Sequence, residues 1–138
     1  MVEIKLRNNN NIITLLVPGK IPLQSSQGLN HFSANELLCS SIGSCVGRTL
    51  VIHCAQNSIN IKILETILVS MNNNCITILI KYANDIDKDI ITSIEKKVKS
   101  CELVTSLSKS FDIEVEMIRS EFDKKKLQKQ NTKKCCGE

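Results

Sequence analysis

The chain has 138 residues, of which 42% are hydrophobic and 23% are charged, and this composition fits one globular domain with an apolar core. Three Phe, one Tyr and no Trp offer few side chains on which single-stranded nucleic acid could stack, so we expect no nucleic-acid partner. No apolar stretch approaches the roughly 18 residues of a membrane span. The seven cysteines, an odd number without regular spacing, argue against the disulfide framework of a secreted protein. We therefore predict a cytoplasmic protein with no membrane span and with most thiols reduced.

The formal net charge of +4 comes from the carboxyl-terminal tail. Residues 1–118 carry 11 basic and 11 acidic side chains, whereas residues 119–138 carry seven basic and three acidic ones. We predict a domain over 1–118 and a basic tail over 119–138 that is either a helical extension or disordered. The adjacent Cys135 and Cys136 supply at most half of a tetrahedral zinc site, and we predict no metal there.

The first elements in chain order are a hairpin and a long helix. Apolar residues alternate over 2–6 and recur over 12–17 on either side of a run of asparagines, which predicts two strands and a turn. Ser33 with Glu36 three residues later is the capping-box pattern of a helix start. We predict that this helix ends near Asn57 and that it is buried on most sides, because apolar and small residues surround it.

Two glycines in this helix, Gly43 and Gly47, lie four residues apart and therefore on one face. A face without side chains allows another backbone to come close, which favours contact with a partner helix or a second subunit. The alternative is that the glycines only relieve crowding against the sheet.

The second half of the chain repeats the pattern of hairpin and helix. Alternating apolar residues over 61–71 and 76–82 flank three asparagines and predict a second hairpin. A helical period follows from Asp87 to Cys101, then a short helical piece and a last strand over 111–117. The order β-β-α-β-β-α-β predicts an α+β fold with a largely antiparallel sheet and helices on one of its faces.

Cys45 and Cys101 lie on the apolar stripes of the two predicted helices and suggest a redox site that the fold assembles. Cys39 and Cys54 point elsewhere around the first helix, and Cys75 starts a strand, so we expect these three to be small core or surface thiols. His53 is two turns beyond Cys45, which argues against a Cys-His nucleophile pair.

The sequence Ser33-Ala34-Asn35-Glu36-Leu37-Leu38, the small-residue run that ends at Cys45, and the strand that opens near Ile59 together resemble the osmotically inducible protein C (OsmC) and organic hydroperoxide resistance family. Cys101-Glu102-Leu103-Val104 ahead of the last strand is similar to the segment of the second family cysteine. The resemblance covers roughly residues 1–118. It implies an OsmC-like fold with a central buried helix, built as an intertwined homodimer.

The same resemblance implies a thiol peroxidase that reduces small organic hydroperoxides. Cys45 would be the peroxidatic residue and Cys101 the resolving one, and an external dithiol would reduce the disulfide that they form, with no metal or organic cofactor. A cation near Cys45 would favour its thiolate, and Arg7 and Arg48 are the candidates. The family pattern favours Arg7, and Glu36 is the candidate acidic partner.

A non-enzymatic module is the alternative hypothesis. A dimer could keep the fold and the thiols as a redox sensor, a carrier or a ligand-binding protein. A charged residue close to the Cys45 sulfur favours the enzyme, whereas an apolar pocket around an unpaired Cys45 favours the module. The enzyme also requires Cys45 and Cys101 within disulfide reach.

Overall fold

The computed structural model describes residues 3–6, 13–25, 32–83 and 86–120. The elements, in chain order, are β1 (Glu3–Leu6), β2 (Ile13–Leu16), β3 (Leu23–Ser25), α1 (Ala34–Gln56), a 3₁₀ turn (Ile61–Ile63), β4 (Leu64–Asn72), β5 (Cys75–Tyr82), α2 (Lys88–Lys99), α3 (Glu102–Leu107) and β6 (Asp112–Arg119). They form two compact units whose boundary lies inside α1, between Leu38 and Cys39. The predicted α+β class is confirmed, whereas the basic tail lies outside the described residues from 121 onward.

The amino-terminal unit contains an antiparallel sheet in the order β1-β2-β3. The predicted first hairpin is therefore confirmed, while β3 was not predicted because its three residues show no apolar alternation. The turn that follows β2 is closed by a 3.0 Å hydrogen bond from the Lys20 amide to the Val17 carbonyl. Gly19 in this turn has a φ of 76°, a conformation that glycine adopts without a steric cost.

The predicted capping box starts α1. The Glu36 amide donates to the Ser33 hydroxyl at 3.2 Å, and the Ser33 amide donates to the Glu36 carboxylate at 2.9 Å. These two bonds satisfy amides that have no partner within the helix. The observed bounds of α1 differ from the predicted ones by one residue at each end, which is ordinary variation.

The second unit contains a mixed sheet in the order β4-β5-β6. β4 and β5 form the predicted hairpin around Asn73, whose φ of 55° suits a two-residue turn. β6 pairs with β5 in parallel, because α2 and α3 carry the chain back before β6 begins. The central position of β5 explains why most of its side chains are buried, including Ile76, Ile78, Leu79 and Ile80.

Helix α1 buries one row of side chains in the core of this unit. Ile42, Val46, Leu50 and Cys54, spaced four apart, are each at most 1% exposed. Val51 and Ile52 remain 54% and 47% exposed, so burial within the chain is confined to fewer sides than the sequence predicted. Among the described helices, α1 has the length and apolar composition of a membrane span, a test that core helices of soluble proteins also meet.

Gly43 and Gly47 face strand β4. A Cβ atom at Gly43 would lie 3.6 Å from Val69 Cγ2, and one at Gly47 would lie 3.7 Å from Ile67 Cδ1. These are ordinary packing distances to side chains of the same chain. The structure therefore supports the alternative in which the two glycines fit α1 against its own sheet.

Candidate functional site: a paired thiol

Cys45 and Cys101 belong to different kinds of element: the first lies within a helix, and the second precedes one. Cys45 lies in the middle of α1, as predicted. Cys101 does not belong to the preceding helix, because α2 ends at Lys99 and Cys101 has extended dihedral angles of −55° and 136°. The Cys101 carbonyl accepts a 2.8 Å hydrogen bond from Thr105 and starts α3. The apolar period thus predicted the burial of Cys101 and placed it in the wrong element.

The two sulfur atoms are 3.0 Å apart, and both thiols are free. A disulfide has an S–S length of about 2.05 Å, so the bond needs only a small approach of the two atoms. Cys101 is 3% exposed, whereas Cys45 is half-buried. The predicted pair is therefore within reach of covalent closure, and Cys45 is the member that solvent reaches more readily.

The Cys101 sulfur contacts two polar side-chain groups. One is the Cys45 thiol, the other is the Thr49 hydroxyl, which donates to it at 3.5 Å, and the backbone amides of Val104 and Leu103 act on its pKa. Burial raises the pKa of the Cys101 thiol, but the hydrogen bonds from Cys45, Thr49 and these amides outweigh burial, so the pKa is lowered overall. Because the other partners of Cys101 are donors, the contact between the sulfurs is best satisfied with Cys45 as the donor.

The pKa of the Cys45 thiol is shifted in the opposite direction. Its hydrogen bond with Cys101 raises the pKa of the Cys45 thiol, and burial and the nearby Glu102 carboxylate raise it further, while the Leu103 amide acts in the other direction. The two cysteines are thus in contact and yet differ in how readily each becomes a thiolate.

The predicted supporting residues have different positions. Arg48 is exposed on α1, and Arg7 lies outside the described residues. The Ser33 amide and hydroxyl lower the pKa of the Glu36 carboxyl, and this side chain serves as the cap of α1. Thr49 was missed by the sequence analysis, although its position four residues after Cys45 on the same helix face was a usable signal.

The remaining described cysteines differ from the pair. Cys54 is 1% exposed, and burial raises the pKa of its thiol. Cys39 is half-buried and free. Cys75 is disulfide-bonded, which corrects the expectation of a simple core thiol.

One turn beyond Thr49, His53 connects α1 to α2. Its Nε2 atom lies 2.8 Å from the Ser93 hydroxyl, and its Nδ1 atom lies 3.2 Å from the amide nitrogen of Asn57. Since that nitrogen is a donor, Nδ1 accepts and Nε2–H donates to Ser93. In this arrangement His53 donates to Ser93 and does not act on it as a base. The described part of the chain also contains no group of three His, Cys, Asp or Glu side chains that could hold a metal ion.

No protein-family model matches the sequence, and no curated protein is similar to it. Solved structures do match. The OsmC-like protein of Mycoplasma pneumoniae has a TM-score of 0.69 at 14% identity, over 86% of this chain and 96% of that one. The organic hydroperoxide resistance protein OhrB of Bacillus subtilis has a TM-score of 0.59 at 12% identity, over 85% and 97%. An organic hydroperoxide resistance protein of Elizabethkingia anophelis has a TM-score of 0.63 at 7% identity, over 87% and 96%.

The fold is therefore that of the OsmC-like proteins, as the resemblance in sequence predicted. The similarity extends over nearly the whole length of each neighbour.

Proposed function

We propose that this protein reduces small organic hydroperoxides with the Cys45–Cys101 dithiol. The observation that carries the proposal is the 3.0 Å contact between two free sulfurs from distant parts of the chain. The organic hydroperoxide resistance proteins among the structural neighbours support this substrate class.

The proposed reaction needs no group beyond the two thiols and the peroxide. The Cys45 sulfur attacks the terminal peroxide oxygen, the O–O bond breaks, and the products are Cys45 sulfenic acid and an alcohol. The Cys101 sulfur then displaces the sulfenic hydroxyl as water and forms the disulfide. An external dithiol supplies two electrons and two protons to restore the pair.

Arg7 and Arg48 remain the proposed cations for the Cys45 thiolate, and Glu36 the proposed acidic partner. Arg48 is exposed on α1, so Arg7 is the preferred cation. Glu36 also serves as the cap of α1.

The test is consumption of cumene hydroperoxide by the reduced protein with a dithiol reductant. We expect catalytic turnover, and without reductant we expect one equivalent of peroxide to yield a disulfide between the peptides that contain Cys45 and Cys101. Intact, folded protein that consumes no peroxide would refute the proposal.

The second candidate is a non-enzymatic redox-sensing, carrier or ligand-binding module. The raised pKa of Cys45 and the anionic Glu102 near it favour this candidate, because both disfavour the thiolate that attacks peroxide. A disulfide that forms reversibly with oxidised dithiols, without catalytic peroxide consumption, would identify the module.

The proposed assembly is an intertwined homodimer in the cytoplasm, with residues 1–118 as its domain and residues 119–138 as a basic tail. Large apolar side chains exposed on both units support a dimer, and those with the greatest exposure are Ile21 at 92%, Ile4 at 57%, Val51 at 54% and Phe32 at 49%. Sedimentation equilibrium tests this, with a mass near twice 15.4 kDa as the expected result.

A further inference from the structure

The sheet β4-β5-β6 has one face toward α1 and another that points away from it. Ile67 and Val69 of β4 lie opposite Gly47 and Gly43 of α1, so the strand residues in register with them share the α1 face. Side chains alternate between the two faces of a strand, and the intervening positions therefore form the other face, which we call the outer face. On β5 and β6 the outer face consists of Cys75, Thr77, Leu79, Lys81, Asp112, Glu114, Glu116 and Ile118.

The helices that follow β5 lie on the α1 side of the sheet. The 2.8 Å hydrogen bond between His53 and Ser93 joins α2 to α1. The contact between Cys45 and Cys101 joins α1 to the residue that precedes α3. The described helices of this unit are thus on one side, and a sheet face without helices is normally open to solvent.

Side chains of the outer face are nevertheless buried. Cys75 is 1% exposed, and Leu79 and Ile118 are each 5% exposed, which are values typical of a core. Leu68, the outer-face neighbour of Leu79 on β4, is 39% exposed. The burial is therefore confined to the part of the outer face that β5 and β6 form.

Cys75 on this face also has a covalent partner. Cys75 is disulfide-bonded, whereas the three cysteines of α1 and Cys101 are free thiols. The sequence has two further cysteines, Cys135 and Cys136, and both belong to the basic tail. The Cα atoms of a disulfide lie within roughly 7 Å of each other, so the partner of Cys75 comes close to the outer face.

We propose that residues 121–138 dock on the outer face over β5 and β6, and that a disulfide from Cys75 to Cys135 or Cys136 fastens them there. The face would be the docking surface for a segment of the same chain. This inference concerns the tail alone and does not depend on the proposed peroxidase function.

The tail is long enough to reach Cys75. Because Cys75 is in register with Asp112 at the start of β6, a chain that leaves β6 at Arg119 has to return along the strand by about 23 Å, at roughly 3.3 Å per residue. Residues 120–135 span about 22 Å even as an α-helix, at 1.5 Å per residue, and more in an extended form. The tail therefore suffices to cover this part of the outer face and to bring its cysteines to Cys75.

The charges of the two surfaces favour the same occupant. β6 presents a row of three carboxylates on the outer face, from Asp112, Glu114 and Glu116, and β5 presents one cation there, Lys81. Residues 121–138 carry six lysines and three acidic side chains. Opposite charges at a surface attract weakly, so they orient the tail along β6, while the disulfide supplies most of the stabilisation.

Closure of the disulfide is an oxidation of two thiols by a small-molecule disulfide. The thiolate of a tail cysteine attacks the oxidant, which releases one thiol and leaves a mixed disulfide, and the Cys75 thiolate then displaces the second thiol. Two electrons pass to the oxidant, and its two thiols carry away the two protons. An external dithiol reverses the reaction, so docking of the tail follows the redox state.

The first experiment identifies the partner of Cys75. The full chain is treated with glutathione disulfide, free thiols are blocked with iodoacetamide, and tryptic peptides are compared by mass spectrometry with and without reductant. Cleavage after Lys and Arg places Cys75 in peptide 63–81 and both tail cysteines in peptide 135–138. We expect these two peptides to be joined in the unaltered chain, and separate in the double variant Cys135→Ser, Cys136→Ser.

The control for this experiment is Cys54→Ala, because Cys54 is as buried as Cys75 and is free. Its two peptides should remain joined. A non-reducing gel should show a single chain of 15.4 kDa. A blocked Cys75 thiol after oxidation would overturn the inference, and so would a Cys75 disulfide that joins two chains.

The second experiment measures docking itself. Trypsin cleavage at the lysines of 124–126 is timed in the oxidised chain, in the double serine variant and in a synthetic peptide of residues 121–138, which is the undocked reference. We expect cleavage in the oxidised chain to be at least about tenfold slower than in the peptide. In the double variant we expect an intermediate rate, because only the weak charge contacts remain.

Removal of a carboxylate tests the position of the tail. In the background of the double variant, Glu114→Gln on β6 should bring the cleavage rate closer to that of the peptide at low ionic strength. Thr66→Ala, at an exposed outer-face position on β4, is the control and should leave the rate unchanged. Equal cleavage rates in the oxidised chain and in the free peptide would overturn docking on the outer face.

Discussion

Two faces of helix α1 each carry a cysteine, and the two cysteines have different surroundings. The core face ends in Cys54, which follows Ile42, Val46 and Leu50 and is 1% exposed. The polar face carries Cys45 and Thr49, which meet Cys101. Cys54 and Cys101 are both buried, but burial alone raises the pKa of Cys54, whereas hydrogen bonds reverse the effect of burial at Cys101.

Burial does not by itself make a thiol inert or reactive. The donors that reach the sulfur decide which form is favoured. Cys54 lies in an apolar row and is a packing residue, whereas Cys101, which is similarly buried, contacts a hydroxyl and a second thiol. Removal of one cysteine from each face tests most directly whether the two faces differ in chemistry.

Replacement of Cys45 by Ser should give the largest effect. We expect peroxide consumption to fall by roughly a hundredfold or more, because the proposed nucleophile is lost. Cys54→Ala is the matched control on the core face, and its turnover should stay close to that of the unaltered chain. The measurement is the initial rate with cumene hydroperoxide and a dithiol. Equal losses in the two variants would mean that the two faces do not differ in chemistry.

Replacement of Leu50 by Ala tests how much the packing of the core face contributes to stability. Leu50 is 1% exposed, so a cavity at this site should lower the free energy of unfolding by about 2 to 5 kcal/mol. Thr49→Val, which keeps the shape of the neighbouring side chain, should change it by less than about 1 kcal/mol. Urea unfolding followed by circular dichroism gives both values. A cost at Thr49 as large as that at Leu50 would show that the polar face also carries the packing.

Replacement of Ser93 by Ala examines the distal part of the polar face. The loss of its 2.8 Å hydrogen bond with His53 should lower the free energy of unfolding by about 1 kcal/mol and leave the peroxide rate unchanged. Thr92→Ala is the control, because the Thr92 hydroxyl bonds to the Lys88 carbonyl of its own helix. A large fall in the peroxide rate of Ser93→Ala would extend the reactive site to His53.

Replacement of Gly43 by Ala should give the smallest effect, and it should be a gain. The new Cβ would lie at an ordinary 3.6 Å from Val69 Cγ2, and alanine is the better helix former by up to about 1 kcal/mol. We expect the thermal midpoint to rise by a few degrees. A marked loss of stability would show that another backbone needs this face, as the subunit interpretation of the glycines requires.

The local elements were largely predictable. The capping box of Ser33 and Glu36 involves neighbours in the chain, and so does the turn at Asn73 between β4 and β5. Hydrophobic period and turn residues express preferences that act within a few residues, and for this reason they fixed the order of most elements and the choice of Cys45 and Cys101 as candidates. The strand β3 escaped prediction because three residues are too few to show a period.

Only the tertiary structure decided the parallel pairing of β6 with β5, the departure of the chain from α2 before Cys101, and the meeting of Thr49 with the Cys101 sulfur. Each of these depends on groups that are far apart in the sequence or on how one helix ends. The sequence alone determined that two cysteines occupy apolar positions in an OsmC-like order of elements. The contacts of Cys45 and Thr49 with the Cys101 sulfur form only when α1 lies against the chain around Cys101, because hydrogen-bonding groups act on a thiol at contact distance.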